Sequence, residues 1–313
     1  MKIVYFGTPH FAANVLDHLI KNGIEVVAIV TKPDKPRGRS HTPVCCSVKD
    51  LAKKFYPTIP LYQPLKASSA GFVEQLRLLE ADLFVVVAYG EILRQNVLEL
   101  PKKGCINLHA SLLPKYRGAA PIQWALLEGA KETGISVIEM GLRMDAGDLL
   151  FQEKINLSEE TNCAELEEAL CFIGKKALVS VLKDFDFFCS QKTAQIEKEA
   201  TYVQKIHPEM AKIDWRVSAS TIHNQVRAFS PRPGAWTFIH LNGALKRFKI
   251  LKSEIVEQKG TPGTSLSFSK KKWVVACGDQ ALSLLRVQLE GKKPLSIEAF
   301  LLGATRRFDF PPF

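Results

Sequence analysis

Apolar and polar positions in the first half of the chain follow two different periods. Lys2–Phe6, Glu25–Thr31, Ala81–Tyr89, Gly104–His109 and Gly134–Met140 are short, nearly continuous apolar runs with charged or turn residues at their flanks. Runs of this length, rich in Val and Ile, predict strands covered on both faces. Phe11–Lys21 instead places its apolar residues at helical spacing. Strands that alternate with helices predict an α/β fold, with a Rossmann-like, mostly parallel sheet and helices on both faces. Glu165–Lys183 predicts a further amphipathic helix, with Leu166, Leu170, Ile173, Ala177 and Leu178 on one side. Glu159 and Glu160 near its start and Lys175 and Lys176 near its end suit the helix dipole. Asp186–Lys205 is polar and without clear period, and predicts a linker. After it come a short helix, Thr221–Phe229, and β-type runs at Ala235–Leu241, Lys246–Ile255, Lys272–Cys277 and Ala281–Leu289. Short strands separated by Gly and Pro turns predict a small barrel. The expected division is therefore a first domain over 1–188, a linker over 189–205 and a second domain over 206–313, with no internal repeat.

Length and composition agree with this division and narrow the class. The 313 residues suffice for two domains, and 46% hydrophobic with 24% charged residues is ordinary for a globular protein. No stretch approaches the roughly 20 apolar residues that span a bilayer. Lys2 leads straight into a strand-sized run with no signal-peptide or transit pattern, which predicts a cytoplasmic protein. The seven cysteines form no CxxC pair and no zinc spacing, so reduced thiols and no metal are expected. Charge is unevenly placed. Residues 1–200 carry 24 basic and 24 acidic side chains, whereas residues 201–313 carry 18 and 8, so the whole net charge of +10 lies in the last third. Such asymmetry points to a polyanionic partner or to a well-solvated basic surface.

Candidate chemistry follows from where the strands end. In open parallel sheets, ligands sit beyond the carboxyl ends of the strands. Gly7-Thr8-Pro9, Ala88-Tyr89-Gly90 and Asn107–Pro114 each follow a predicted strand and converge there. Gly7 does not open a dinucleotide fingerprint, the second strand ends in Thr31-Lys32-Pro33 without an acidic residue, and no phosphate-binding G-x-x-x-x-G-K-[ST] occurs. Asn107 and His109 are two apart at a strand end and so share a face. An amide donor beside an imidazole can stabilise an oxyanion and move a proton; alternatively Asn107 caps a turn and His109 is a surface histidine. Asp145-Ala146-Gly147-Asp148 is either a simple turn or a loop presenting a carboxylate. Lys32–Lys49, with Pro33, Pro36, Gly38 and Pro43 among Lys35, Arg37 and Arg39, predicts a long loop, a class often functional. Trp215 and Trp236 are expected in the core, Phe300, Leu301 and Leu302 are expected to close it, and His10, His223 and His240 are expected to be structural.

Four segments together carry a resemblance. Asn107-Leu108-His109, Ser111-Leu112-Leu113-Pro114, Arg117-Gly118 and Ala120-Pro121-Ile122 form one ordered run; Gly141–Asp148, Val4–Ala12 and Arg227–Trp236 are the others. They resemble the formyltransferases that use 10-formyltetrahydrofolate, from about residue 2 to about residue 303. The last segment looks like the branch that acts on initiator Met-tRNA. The resemblance implies formyl transfer from 10-formyltetrahydrofolate to the amino group of the methionine on initiator Met-tRNA, for translation initiation, without a metal. It implies Asn107, His109 and Asp145 as the catalytic residues. It places Ser111, Leu112, Leu113, Pro114, Tyr89, Gly90 and Gly147 at the folate. It assigns Arg39, with Arg37, in the 32–49 loop to the tRNA, together with Lys270, Lys271 and Lys272 on an OB-like β-barrel in the second domain. Lys246, Arg247, Lys249 and Lys252 would share that basic face. A monomer is expected. The competing readings are an amino-sugar or other small-amine formyltransferase, and an RNA-binding protein that keeps the fold without the chemistry.

Overall fold

The computed structural model describes residues 1–36, 43–241, 244–269, 271–302 and 308–309. In chain order the elements are β1 Ile3–Gly7, α1 His10–Lys21, β2 Val26–Val30, β3 Lys35–Pro36, β4 Pro43–Val44, α2 Ser47–Phe55, β5 Leu61–Tyr62, α3 Ala70–Arg77, β6 Leu83–Val87, α4 Gln95–Leu98 and β7 Cys105–His109. Then follow β8 Arg117–Gly118, α5 Pro121–Leu127, β9 Glu132–Glu139, β10 Leu149–Asn156, α6 Cys163–Lys183, α7 Phe185–Ser190 and β11 Tyr202–Val203. The remainder is α8 Ala219–Phe229, β12 Ala235–Leu241, β13 Ala244–Val256, β14 Ser265–Phe268, β15 Trp273–Ala276, β16 Ala281–Leu289, β17 Leu295–Ser296, α9 Ile297–Leu302 and β18 Phe308–Asp309. Two compact units divide these. One comprises Met1–Gly118, Glu132–Ile155 and Glu167–Val203; the other comprises Ala119–Lys131, Asn156–Leu166 and Gln204–Phe313.

The first unit is built on a mixed sheet in the order β10-β9-β7-β6-β1-β2-β5. Strands β7, β6, β1, β2 and β5 run parallel, while β9 is antiparallel to β7. The apolar run Gly134–Met140 is therefore a strand, as its pattern predicts, but of the opposite direction, which hydropathy cannot encode. Alternation along the strands separates the two faces. Val4, Phe6, Ala28, Val30, Phe84 and Val86 pack with Phe72, Val73 and Leu76 of α3 and Val97 of α4. The opposite face meets α1 and α6: the Tyr5 hydroxyl donates to the Ala12 carbonyl at 2.7 Å, and Gly174 lies against Leu108 and Ile135. Helices thus cover both faces. Gly7 serves this packing, because a Cβ there would clash with Tyr5 and Ala12.

Three departures from the sequence reading have simple causes. Helix α2 begins inside the expected 32–49 loop, so that Lys49 is helical and its Nζ pairs with Asp34 at 2.5 Å; only Val48 and Ala52 of α2 are buried, which leaves a weak periodic signal. Strand β10 lies at the sheet edge with only Leu150 buried, and lacks the apolar run of its neighbours. The polar stretch expected as a linker carries α7 and β11, and β11 pairs with β8.

The second unit contains an antiparallel sheet in the order β14-β15-β16-β13-β12-β18, with β17 on β16, curled into half an OB-like barrel. Register shifts in β13 around Lys252 add the bend that a curled sheet needs. Trp215, Phe229, Trp236, Phe248, Trp273 and Phe300 fill its core. Leu301 joins them, whereas Leu302 faces solvent, a correction to the expected Phe300–Leu302 closure: consecutive helical positions cannot all face one core. Among the described residues no helix is long and apolar enough to cross a membrane.

Candidate active site

β7 ends on Asn107 and His109, whose side chains leave the same side of the strand. The loop that follows is fixed by its own bonds. Ser111 Oγ donates to the Lys115 carbonyl at 2.7 Å. Ser136 of β9, in register with His109, donates to the Ser111 carbonyl at 2.7 Å and accepts from the Leu113 amide at 3.1 Å. Gln152 Nε2 of β10 then donates to both the Leu113 carbonyl and Ser136 Oγ, each at 2.8 Å. The loop turns at Tyr116, in the left-handed region with φ of 63°, and its carbonyl lies 2.9 Å from His109 Nε2. A carbonyl can only accept, so Nε2 carries a hydrogen and Nδ1 is the ring nitrogen left for chemistry.

Nδ1 faces Asp145. The carboxylate Oδ2 lies 3.7 Å from Nδ1 and accepts the Gly118 amide at 2.8 Å. Oδ1 accepts from Asn107 Nδ2 at 3.3 Å. One Asn107 N–H is thus engaged, and the other has no partner among the described residues. Asp145 therefore ties the end of β7 to β8 while remaining next to both candidate groups. Side-chain exposure is 6% for His109 and 15% for Asp145, so water screens this pair little. The loop between β9 and β10 presents Asp145 with φ of 51°, a costly conformation for a residue with a side chain. Gly147 sits where a Cβ would run into the Glu139 carbonyl; close approach of the loop to β9 requires glycine there.

The other expected positions fall into distinct settings. Ser111 and Leu113 are buried in the loop's own network, leaving Leu112 and Pro114 half-buried. Tyr89 is buried edge-on to Phe6, its hydroxyl without a hydrogen-bond partner among the described residues and its ionisation suppressed by burial. Its carbonyl accepts from Thr8 Oγ1 at 2.8 Å, and Ala88 and Gly90 on either side have positive φ. Arg37, Arg39 and Lys270 lie outside the described residues. Lys271 and Lys272 are exposed. On the barrel, Lys246 is exposed, but Lys249 donates to the Pro233 carbonyl at 2.6 Å, Lys252 pairs with Glu160 at 3.2 Å, and the Arg247 guanidinium lies 4.2 Å from the Trp236 ring centroid. Part of the expected basic face is thus engaged within the unit. His223 is structural, its Nε2 donating to the Glu159 carbonyl at 3.0 Å and its Nδ1 lying 3.1 Å from Ser253 Oγ. No described group of three or more His, Cys, Asp or Glu could hold a metal ion.

Two residues that motif reading passes over complete the surroundings. Arg117, fully buried, makes a forked pair with Glu197, both bonds at 3.0 Å, and a 2.9 Å bond to the Tyr202 hydroxyl. Gln195 Nε2 donates to the carbonyls of Asp145 and Gly147 at 2.8 and 2.7 Å. Arg117 belongs to a quoted motif and could have been suspected; Gln195 lies in a stretch without period and offers no local signal.

Comparison with known proteins places this site in context. The family description "Formyl transferase" matches residues 1–182, and "Formyl transferase, C-terminal domain" matches residues 205–305. A methionyl-tRNA formyltransferase of Protochlamydia amoebophila is 48% identical over 307 residues, covering 98% of this chain and 96% of that protein. Among solved structures, an N-formyltransferase from Helicobacter canadensis, in complex with folinic acid and dTDP-3-aminofucose, superposes with a TM-score of 0.64 at 19% identity, over 91% of this chain and 98% of that one. HypX from Aquifex aeolicus in complex with tetrahydrofolic acid gives a TM-score of 0.60 at 20% identity; this chain is covered to 97% but spans only 47% of HypX.

Proposed function

The chain belongs to the formyl transferase family, and from that premise we propose that it transfers the formyl group of 10-formyltetrahydrofolate to the amino group of the methionine on initiator Met-tRNA. The observation that carries the choice of acceptor is the end-to-end match, through both units, to a relative named for that reaction. The sugar N-formyltransferase likeness, at 19% identity, supports the fold alone. The intact Asn107–His109–Asp145 cluster argues against a protein that only binds RNA, because binding needs none of the three.

The donor set fits a folate-borne formyl group. When bound, 10-formyltetrahydrofolate would supply the one-carbon group: the formyl carbon would exchange its bond to N10 for one to the methionine nitrogen, and the proton lost by the amine would be returned to N10. The unengaged Asn107 N–H is a donor for the oxygen on which charge develops, an interaction typically worth about 2.7–4 kcal/mol in the transition state. His109, held through Nε2, offers Nδ1 as second donor or as proton carrier. Asp145 orients both and receives the proton that the attacking amine must lose. Leu112 and Pro114 supply apolar surface beside the cluster, the Tyr89–Gly90 turn and Gly147 supply backbone, and Ser111 and Leu113 hold the loop that carries them. The first unit is the catalytic domain. The basic second unit, with Lys270, Lys271 and Lys272, and the loop bearing Arg37 and Arg39 bind the tRNA by counterion release. The protein works in the cytoplasm as a monomer.

The test is incorporation of labelled formyl into Met-tRNA, with uncharged tRNA, glycinamide ribonucleotide and an amino-sugar nucleotide alongside. Transfer to Met-tRNA alone is expected; transfer only to a small amine overturns the choice of acceptor. Asn107→Ala, His109→Ala and Asp145→Ala should each lower the rate by roughly 10²-fold or more while tRNA retention on filters stays at the parent level. Parent rates in all three would remove the cluster from the chemistry.

A further inference from the structure

We infer that Gln195 is a positioning residue that locks the Asp145 loop against Arg117 and so sets the carboxylate against His109; this rests on the role proposed above for Asp145. Within 191–199 Gln195 is the one half-buried residue, and the others are exposed. Its amide is engaged on both ends. Nε2 gives its two hydrogens to the carbonyls of Asp145 and Gly147, and Oε1 accepts from Arg117 Nε at 3.0 Å. Carbonyls only accept and a guanidinium only donates, so the amide can stand only one way round.

The bonds close a ring. Asp145 Oδ2 accepts the Gly118 amide; the neighbouring Arg117 side chain donates to Gln195; Gln195 returns to the Asp145 carbonyl. Asp145 is thereby gripped at its carboxylate and at its backbone together, and the left-handed φ of 51° is held from both sides. The surrounding strap repeats the grip. Thr193 and Leu149 exchange backbone bonds at 2.8 and 3.0 Å, Lys192 pairs with Glu139 at 2.7 Å and Asp148 at 3.6 Å, and Glu197 lies 3.6 Å from the Arg143 guanidinium. These flanking pairs are exposed and contribute little singly. Gln195 differs because its partners are the two carbonyls bracketing the turn that aims the carboxylate.

Gln195→Glu keeps size and the acceptor for Arg117 but turns an oxygen toward two carbonyls; Gln195→Met keeps size and removes both donors. Misplacing a reacting group by about 1 Å can cost about 10²-fold in rate. Single-turnover transfer with enzyme in excess should therefore fall roughly tenfold to a hundredfold in both variants, with KM for folate and for Met-tRNA unchanged and the thermal midpoint lowered more by Gln195→Met, which leaves Arg117 Nε unpaired, than by Gln195→Glu. Amide exchange at Ala146–Asp148 should quicken. In an Asp145→Ala background Gln195→Glu should cause no further fall, because the two act as one unit. Parent rates in both single variants, or an undiminished fall in the Asp145→Ala background, overturn the inference. Should Asp145→Ala itself transfer at the parent rate, the reading of the site has failed, and the inference with it.

Discussion

Asp145 shows how much of a residue's role depends on atoms that sequence does not display. Its neighbourhood with Asn107 and His109 is legible, because i and i+2 on a strand share a face and the Asp-x-Gly loop is a motif. What holds it is not legible: Gln195 acts on backbone carbonyls, which every residue possesses and none advertises. Buried thiols give a second prediction at this scale. Burial pushes Cys105 and Cys277 from the ordinary thiol value of 9.0 up to about 12. A group whose folded value is raised contributes its stability in full below the unfolded value and loses it as pH rises toward the folded one. Thermal midpoints should therefore hold up to about pH 9 and decline from there toward pH 12. The buried phenols of Tyr5 and Tyr89, also raised by burial, act in the same sense. A Cys105→Ala/Cys277→Ala variant should show a shallower decline when melting is followed across this range; an identical slope would contradict the assignment.

Elements were legible in proportion to how completely the fold surrounds them. Strands β1, β2, β6 and β7 are almost wholly buried and appear as unbroken apolar runs. The ends of β12 and β16 coincide with the predicted runs because most of Ala235–Leu241 and Ala281–Leu289 is buried against one core. The direction of β9, the edge strand β10 and the lightly buried α2 were not legible, since strand polarity and peripheral packing leave no periodic trace. The loop between β9 and β10 supplies the test. Gly147→Ala must push the loop off the Glu139 carbonyl, which moves Asp145 without altering any side chain in the cluster. Formyl transfer should drop by roughly 10²-fold, whereas Gly141→Ala, in the same loop with open space around it, should transfer at close to the parent rate. Equal rates for the two would show that loop geometry does not control the carboxylate.

At the scale of the whole molecule, composition located the positive charge but not the way the chain is shared out. Neither unit is one continuous stretch. The second takes in Ala119–Lys131 and Asn156–Leu166, which lie between stretches of the first. Helix α5 packs on α8, Gly129 lies against Asn224, and the carbonyls of Ser158 and Glu159 receive Arg227 and His223. A fragment over 206–313 would leave those two buried donors without acceptors, each omission costing about 1–3 kcal/mol. Such a fragment should therefore unfold in urea well before the second unit does in the intact chain, and adding a peptide of residues 119–131 should restore neither bond, because both acceptors lie in 156–166.

The strap that ends at Val203 also sets a date. A ribosome adds roughly 5–20 residues per second, and Asn107, His109 and Asp145 are all translated before Gln195, Glu197 and Tyr202. Throughout that interval the nascent protein holds the three side chains of the cluster but lacks the clamp on the loop that carries Asp145. The partners for the β11–β8 pairing and for the Gln195 bond to the Asp145 loop are all present only when the chain reaches Val203, the last residue of the first unit. On the roles proposed above, full competence therefore waits for residues translated after the whole cluster.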